Sequence, residues 1–220
     1  MEFKRWRNLG EILPEEVEEF VSSYSQKEEV LREVEEYAKR EKVPILLPSA
    51  AQALRLIVSL KRPRKVLEVG TGIGYSTLNI HFAHPEAQIT TVDSNAKRLE
   101  VARELFKRVG APIKTVHSDG LDFIRECLAE GEEFDLIFVD SAKGEYPFFH
   151  YKVQALLKEG GVALFDNALF RGYAAGRPYD RKYERGVKLL KHFLRTVKEY
   201  PGFRVYLLPV GDGLLVLESV

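Results

Sequence analysis

The amino-acid sequence predicts an α/β fold whose core is a mostly parallel sheet of seven strands that ends in an antiparallel hairpin. From Lys65 onward, short unbroken apolar runs alternate with segments of helical periodicity. Such runs are typical of parallel strands that helices cover on both faces. The chain ends in two apolar runs joined by Gly211-Asp212-Gly213, a spacing that predicts a hairpin. With 220 residues and 45% hydrophobic content, the chain can form one sizeable core, and disorder is excluded.

The front of the chain, residues 1–60, is predicted to be a helical extension that packs on the main domain, residues 61–220, and is not independent of it. Its apolar residues recur at helical spacing. Ser25 and Glu28 have the spacing of a capping box that begins the second helix, and Ser49 can cap the third. The predicted helices span Glu15–Tyr24, Ser25–Arg40 and Ala50–Leu60.

In the main domain, apolar runs and helical patterns follow one another in strict alternation up to the hairpin. Because crossover helices join parallel strands, the fourth and fifth strands are expected to be neighbours beyond the point where the strand order reverses. The predicted strands are Val66–Val69, Ile89–Val92, Ile113–Val116, Phe134–Val139, Val162–Phe165, Phe203–Leu208 and Leu214–Glu218. The predicted helices are Tyr75–Ala83, Asn95–Val109, Leu121–Glu130, Glu145–Lys158 and Tyr183–Tyr200.

The charge of the chain excludes one class of partner and leaves another open. Lys and Arg total 33, as do Asp and Glu, so the zero net charge rules out nucleic-acid binding by bulk charge alone. The distribution is uneven, however. From Glu11 to Glu36 there are ten acidic and two basic residues, whereas from Arg171 to Arg204 there are ten basic and three acidic ones. The basic stretch is therefore a candidate surface for an anionic partner.

The sequence favours a cytoplasmic protein with no membrane segment. No uncharged run approaches the roughly 20 residues of a membrane span, and Met1–Arg5 is not followed by the apolar stretch of a secretory signal. Cys127 is the only cysteine, so the chain can form neither an internal disulfide nor a cysteine cluster for zinc. A reducing compartment is the natural expectation.

The first candidate site is the glycine turn after the first strand, which contains Gly70, Gly72 and Gly74. Glycines permit positive φ and let a ligand approach the backbone, and the helix that follows offers free amides. The spacing differs from the Gly-x-Gly-x-x-Gly of dinucleotide sites. Glu68, just before the turn, would repel a pyrophosphate but suits a cationic amino-acid group. The alternative is a tight turn that binds no ligand.

Acidic residues also follow the second and third strands. Asp93 ends the second strand, where a carboxylate can accept both hydroxyls of a ribose, although it could instead cap the helix at Asn95. Asp119 and Gly120 follow the third strand, where polar groups could line an adenine ring. A helix cap is an equally good interpretation of Asp119.

The most specific group of candidate residues lies at the ends of the fourth and fifth strands. Asp140 ends the fourth strand, and Asp166 and Asn167 end the fifth. Because ligands sit at the carboxyl ends of parallel strands, two carboxylates and an amide oxygen are expected to converge there. Oxygen ligands suit Mg²⁺, and the lack of His in this set argues against zinc. Lys143 can reach the same point; the alternative is that these are ordinary strand-end acids that cap helices.

In this order, these motifs resemble those of the metal- and S-adenosylmethionine-dependent O-methyltransferases of the catechol and caffeoyl-CoA type. The resemblance covers the whole chain and implies a Rossmann-like class I methyltransferase fold. Residues 139–146 (Val-Asp-Ser-Ala-Lys-Gly-Glu-Tyr) and 166–172 (Asp-Asn-Ala-Leu-Phe-Arg-Gly) are most similar to a bacterial branch, the tRNA 5-hydroxyuridine methyltransferases. The family often has Trp, His or a second acidic residue where this chain has Ser141-Ala142, which implies a less aromatic pocket wall than in catechol enzymes.

The resemblance also implies a role for each candidate residue. Lys143 would be the general base, with Asp140 taking part in catalysis. A divalent cation, Mg²⁺ or another, would be held by Asp140, Asp166 and Asn167. S-adenosylmethionine would be bound by Glu68, Gly70, Gly72, Tyr75, Ser76, Asp93, Asp119, Gly120 and Asp140.

The branch resemblance implies that the substrate is 5-hydroxyuridine at the wobble position of a tRNA anticodon loop, which becomes 5-methoxyuridine. Arginines, a lysine and tyrosines of the basic stretch suit phosphates and bases, although a solvated helix face is the alternative. A catechol- or caffeoyl-CoA-like substrate is a second possibility, and a non-catalytic nucleotide-binding protein a third. The family further implies a homodimer formed through the N-terminal helices. The candidate RNA-binding residues are Arg171, Arg177, Arg181 and Lys182, with Arg185 also available for phosphates and Tyr173, Tyr179 and Tyr183 for stacking.

Overall fold

The computed structural model of the protein describes residues 12–141 and 145–220. No helix in this part of the chain is long and apolar enough to cross a membrane. The helices are α1 (Glu15–Ser23), α2 (Glu29–Glu41), α3 (Pro48–Lys61), α4 (Tyr75–Ala83), α5 (Ala96–Arg108), α6 (Gly120–Ala129), α7 (Tyr146–Leu156) and α8 (Glu184–Val197). The strands are β1 (Lys65–Val69), β2 (Gln88–Asp93), β3 (Lys114–His117), β4 (Phe134–Val139), β5 (Leu157–Phe165), β6 (Phe203–Leu208) and β7 (Leu214–Ser219).

The strands form one seven-stranded sheet in the order β3-β2-β1-β4-β5-β7-β6. β1 pairs in parallel with β2 and β4, and β2 with β3 and β4 with β5 pair in the same way. β7 lies between β5 and β6 and is antiparallel to both. The predicted α/β fold with a C-terminal hairpin is confirmed. The strand order reverses between β1 and β4, so the carboxyl ends of these strands open a crevice.

The largest difference between predicted and observed boundaries lies between the fourth helix of the main domain and the fifth strand. The helix ends at Leu156 instead of Lys158, and β5 begins at Leu157, ahead of the predicted start at Val162. The early part of β5 pairs Leu157 with Phe134 and is separated from the regular register by a bulge. Gly160 lies there with φ of +72°, a conformation that glycine adopts readily.

Both predicted helix caps in the N-terminal extension are wrong. α2 is preceded by Glu28, whose carboxylate pairs with Arg55 of α3 at 2.7 Å and makes no cap hydrogen bond, so Ser25 lies outside the helix start. α3 begins at Pro48, so Ser49 is inside the helix. The buried carboxylate of Glu18 in α1 accepts hydrogen bonds from the Ser49 amide at 3.0 Å and from its hydroxyl at 2.6 Å. The first turn of α3 is therefore satisfied by a different helix.

Two hydrophobic layers cover the sheet. One contains apolar side chains of α2, α3, α4 and α5, and the other contains those of α6, α7 and α8. Leu31 of α2 and Leu54 of α3, both fully buried, belong to the same cluster as Val66 of β1 and Leu164 of β5. The N-terminal helices therefore share the core of the main domain.

The turn between β6 and β7 connects the N-terminal helices to the loop that follows β5. The Gly211 amide donates to the Ser49 hydroxyl at 2.7 Å. The next residue of the turn, Asp212, accepts two hydrogen bonds from the loop that follows β5. The Leu169 amide donates to its carbonyl at 2.9 Å, and the Arg171 amide donates to its carboxylate. This loop begins at Asp166, so the hairpin turn fixes backbone close to the candidate site.

Candidate active site

The glycine turn brings the ends of β1 and β4 into direct contact. Gly70 has φ of +104°, and a Cβ at this position would lie 2.1 Å from the Asp140 carbonyl oxygen. A Cβ on Gly74 would lie 2.7 Å from the Phe106 ring of α5. Gly72 differs, because its φ of +53° favours glycine while a Cβ there would meet nothing within 4 Å. Gly70 and Gly74 are thus required by packing, whereas Gly72 borders open space.

Glu68 is a fully buried carboxyl group in the middle of β1. Its Oε2 accepts hydrogen bonds from the hydroxyls of Thr77 in α4 and Thr91 in β2. Burial raises the pKa of Glu68 to about 7, and the nearby hydroxyls of Ser76, Thr77 and Thr91 lower it in part. The carboxyl group therefore exchanges its proton near neutrality, which makes its charge sensitive to a cationic neighbour.

The sequence did not indicate Thr77 and Thr91 as partners of Glu68. Their signal is recognisable in retrospect, since Thr91 is directly paired with Glu68 across β1 and β2 and interrupts an apolar run. The Thr91 hydroxyl is also 2.6 Å from that of Thr71 in the glycine turn. A chain of buried hydroxyls thus joins Glu68 to the turn.

Asp93 lies at the end of β2 and binds the backbone of two loops, those that follow β1 and β2. One carboxylate oxygen accepts the Gly72 amide at 2.8 Å, and the other accepts the Asn95 amide at 2.7 Å. Asn95 itself caps α5 by accepting from the Arg98 amide. The cap of α5, which was the alternative interpretation of Asp93, is thus formed by Asn95, and Asp93 is held against the glycine turn.

Asp119 is the cap of α6. Its carboxylate accepts the amides of Leu121 at 2.9 Å and Asp122 at 3.2 Å, which satisfies the first turn of the helix. The structure therefore bears out the capping interpretation of Asp119. A Cβ on the neighbouring Gly120 would lie 2.6 Å from Val69 at the end of β1, so glycine lets α6 approach the crevice closely.

Tyr75 and Ser76 form the first turn of α4, where the sequence placed part of the cofactor pocket. Both are buried. The Tyr75 hydroxyl donates to Glu35 of α2, which also pairs with Lys27 at 2.7 Å. Burial and the Glu35 charge raise the pKa of Tyr75 well above its usual range. The side chain of Tyr75 is thus engaged by the N-terminal helices, a contact that the sequence did not indicate.

The three predicted metal ligands lie together at the ends of β4 and β5. The Asn167 amide nitrogen is 3.4 Å from a carboxylate oxygen of Asp140 and donates to the Asp166 carboxylate. Asp166 and Asn167 are each 3% exposed, and Asn167 has φ of +59°. The Asp166 carbonyl accepts the Tyr146 hydroxyl of α7 at 2.5 Å, which fixes this corner. In the arrangement described, the amide of Asn167 bridges two carboxylates.

This donor set fits a hard divalent cation. Two carboxylates and a side-chain amide oxygen are ligands that Mg²⁺ accepts, with the remaining positions left to water and substrate. The Asn167 amide, whose nitrogen faces the carboxylates in this structure, would present its oxygen after a half-turn of the amide group. Among residues 12–141 and 145–220 there is no group of three or more His, Cys, Asp or Glu that could hold a metal ion, so a His- or Cys-rich site is absent from that part of the chain. Lys143, the predicted base, lies outside the described residues together with Ala142.

The predicted RNA-binding residues lie on the loop after β5 and at the start of α8. Arg181 and Lys182 are exposed in the turn before α8, and Lys182 pairs with Asp180 at 3.3 Å. The Arg171 guanidinium lies 5.8 Å from the centre of the Tyr183 ring, and Arg177 packs its aliphatic part on Gly172. The predicted stacking rings pack largely on one another: Tyr173 contacts Tyr179, Tyr183 and Phe170 at centroid distances of 5.4–5.7 Å.

The strand order and the site together define the class of protein, a Rossmann-like methyltransferase. The site combines a glycine turn that lies against a buried acid, an acidic residue after the next strand, and a cluster of oxygen ligands at the ends of β4 and β5. The sequence matches the O-methyltransferase family over residues 19–219, and the chain belongs to that family. The caffeoyl-CoA O-methyltransferase 1 of Arabidopsis thaliana is 28% identical over 211 residues, covering 90% of this chain and 81% of the relative. The enzyme of the same name from Eucalyptus globulus is 27% identical over 210 residues, covering 90% and 85%.

Solved structures support the same assignment. The S-adenosylhomocysteine-bound methyltransferase PaMTH1 of Podospora anserina is 26% identical, with a TM-score of 0.81 over 93% of this chain and 94% of that one. The O-methyltransferase TomG of Streptomyces achromogenes, solved with S-adenosylmethionine, has a TM-score of 0.81 and 22% identity over 100% and 99% of the chains. The chain is an S-adenosylmethionine-dependent O-methyltransferase of the caffeoyl-CoA type, and the predicted fold and enzyme class are confirmed.

Proposed function

We propose that the protein methylates 5-hydroxyuridine at the wobble position of tRNA, using S-adenosylmethionine and a divalent cation. The observation that carries the proposal is the position of the basic stretch. The loop that contains Asp166 and Asn167 continues directly into Arg171 and Arg177 and then into the start of α8. A flanking surface rich in Arg, Lys and Tyr suits an unpaired RNA loop better than a small neutral substrate.

The cation would be held by Asp140, Asp166 and Asn167. When bound, a divalent cation would lower the pKa of a substrate hydroxyl that coordinates it. In 5-hydroxyuridine the hydroxyl adjoins a ring carbonyl, which gives the same pair of oxygens that a catechol offers. The metal chemistry therefore does not separate the two substrate classes, and the surface around the site must do so.

The remaining roles belong to residues of this chain. Glu68 in its ionised form would balance the ammonium of the methionine part of the cofactor, and Asp93 would accept ribose hydroxyls while holding the Gly72 amide. Lys143 would accept the proton that the substrate hydroxyl loses as its oxygen takes the methyl group. For this Lys143 must be neutral, and neighbouring positive charges lower the pKa of a lysine. Lys143→Met should reduce turnover by about 10²–10⁴-fold.

The second candidate function is methylation of a small molecule of the catechol or caffeoyl-CoA type. It is supported by the plant relatives, whose names specify caffeoyl-CoA as the methyl acceptor. A non-catalytic nucleotide-binding protein is disfavoured, because such a protein has no use for the convergent Asp140, Asp166 and Asn167.

The test compares substrates under one set of conditions. Purified protein with S-adenosylmethionine and Mg²⁺ is given an anticodon stem-loop with 5-hydroxyuridine, the same stem-loop with uridine, caffeoyl-CoA or catechol, and products are measured by mass spectrometry. We expect methylation of the 5-hydroxyuridine stem-loop only, lost on chelation and restored by Mg²⁺. Asp140→Ala should abolish it, while Asp122→Ala, an exposed acid of α6, should not. Faster methylation of caffeoyl-CoA or catechol than of the stem-loop would reject the proposal.

We also propose that the protein forms a homodimer through its N-terminal helices. Support comes from exposed apolar side chains on α1 and α3, which include Phe20, Leu56 and Leu60. Exposed apolar groups of this size favour an interface. Phe20→Ser should shift the mass measured by light scattering from dimer to monomer, whereas Glu19→Ser on the same helix should leave it unchanged. A monomeric parent protein would refute this proposal.

A further inference from the structure

A cleft lies between α7 and α8, and it joins two of the predicted RNA-binding residues, Arg181 and Lys182, to residues of both helices. Its volume is 530 Å³, and its walls include Phe148 of α7 and a row of cationic side chains: Arg181, Lys182, Arg185 and Lys188. Glu184 is the single acidic residue of the lining. A concave surface with four cations and one anion is suited to a polyanionic ligand.

The cleft opens at the same edge of the sheet as the candidate active site. α7 begins a few residues after the end of β4, and Phe148 is in its first turn. β6 is parallel to β5, since both are antiparallel to β7, so α8 begins at the carboxyl edge of the sheet and runs back to the start of β6. The first turns of α7 and α8 therefore flank the edge where Asp140, Asp166 and Asn167 converge.

The cations of the cleft are available to a ligand. Lys182 pairs with Asp180 at 3.3 Å and Lys188 with Glu184 at 2.7 Å, but these side chains are exposed, and such pairs contribute little stability. Arg181 and Arg185 form no ion pair with any residue in the described ranges. The planar guanidinium of arginine matches a phosphate with two parallel hydrogen bonds.

Phe148 gives the cleft an aromatic wall. Its side chain is 55% exposed, whereas Phe149 beside it is 1% exposed and belongs to the core. The half-buried tyrosines of the neighbouring loop pack on one another, but the ring of Phe148 contacts none of them. Proteins that bind single-stranded nucleic acid combine such exposed rings with cations that follow the backbone.

We propose that this cleft binds the RNA strand next to the methylated base, with Arg181 and Arg185 on phosphates and the Phe148 ring stacked on a neighbouring base. The inference rests on the proposed function and extends it by naming Phe148 and Lys188 and by placing Arg185 in the same cleft. An RNA strand is favoured over a single nucleotide such as coenzyme A because cations continue beyond the cleft: the Tyr183 ring lies 4.9 Å from the Lys182 ammonium and 5.8 Å from the Arg171 guanidinium.

The test measures binding without catalysis. Fluorescence anisotropy follows a labelled anticodon stem-loop that carries ordinary uridine at the wobble position, over a series of salt concentrations. Arg185→Ala should weaken binding and lower the slope of log affinity against log salt by about one. Phe148→Ala should weaken binding by about 5–100-fold with the slope unchanged, and Phe148→Trp should restore it. Arg125→Ala, which removes an exposed arginine of α6, is the matched control.

Each outcome separates this inference from the proposed function. If the parent enzyme methylates the 5-hydroxyuridine stem-loop but Arg185→Ala and Phe148→Ala bind RNA as the control does, the cleft does not bind RNA, whereas the proposed function stands. If RNA binding depends on these residues but no stem-loop is methylated, the cleft binds RNA as inferred, whereas the proposed function is wrong. Displacement of the RNA by equimolar coenzyme A would assign the cleft to a small nucleotide and overturn the inference.

Discussion

At the scale of single residues, Glu68 makes the stability of the protein depend on pH. The native carboxyl group has a pKa of about 7, raised by burial from 4.5, so the folded protein binds this proton more tightly than the unfolded chain does. The free energy of unfolding should therefore fall as pH rises from about 4.5 to about 7, by about 3 kcal/mol in total.

Glu68→Gln isolates this contribution, because the amide resembles the neutral acid. In urea unfolding without cofactor, the variant should match the parent at about pH 4, below the unfolded pKa, and exceed it in stability at pH 8. Many other groups titrate in this range, but they do so in both proteins. A constant difference between the two proteins across this range would show that Glu68 does not titrate as described.

The glycine turn gives a second prediction at this scale. Gly72 and Gly110 both have positive φ, +53° and +69°, and a Cβ at either would meet nothing within 4 Å. Substitution by alanine should therefore lower the free energy of unfolding by about 1–2 kcal/mol at each position, because the backbone is strained. Only Gly72→Ala should weaken the binding of S-adenosylhomocysteine in calorimetry, since Gly72 borders the crevice. Equal affinities for the two variants would exclude Gly72 from the cofactor site.

The sequence predicted the residues of the site whose position follows from topology alone. Asp140, Asp166 and Asn167 had to meet once the strands were neighbours. The contact of Tyr75 with Glu35 was not predictable in this way, because it joins α4 to a helix 40 positions earlier in the chain and depends on the packing angle of α2.

At the scale of elements, the start of α3 depends on a cap from another helix. Ser49 is buried, and its amide and hydroxyl both donate to Glu18 of α1. Glu18→Ala should lower the free energy of unfolding by about 1–3 kcal/mol, because it leaves buried donors unsatisfied. Glu19→Ala, on the exposed face of α1, is the control for urea unfolding. The cap is unimportant if the two variants unfold at the same urea concentration.

The errors in element boundaries have a common cause. Ser25 and Ser49 were expected to be caps because local sequence patterns favour them, but tertiary contacts of Glu28 and Glu18 decide where α2 and α3 begin. The early start of β5 was hidden by Lys158 and Glu159, polar residues that occupy a bulge. Among the described residues, local patterns identified the helices α1–α8 and the strands β1–β7, and they failed where a distant side chain or a bulge set the end of an element.

At the scale of the whole molecule, the helical extension and the sheet share one core. α2 and α3 contribute Leu31, Val34, Leu54 and Val58 to the cluster that covers one face of the sheet. A protein of residues 61–220 alone would expose that face, so we expect it to lose cooperative urea unfolding and to aggregate. Circular dichroism and size-exclusion chromatography test this. A soluble, cooperatively unfolding fragment would show that the extension is dispensable.

The position of β7 between β5 and β6 has a consequence for biosynthesis. A ribosome adds about 5–20 residues per second, and β7 is made after the other six strands of its sheet. Until β7 emerges, β5 has an open edge and β6 has no partner. The turn that anchors Ser49 and the loop after Asp166 is also made later than both of its partners. We therefore expect the active site to become ordered only after β7 has been made.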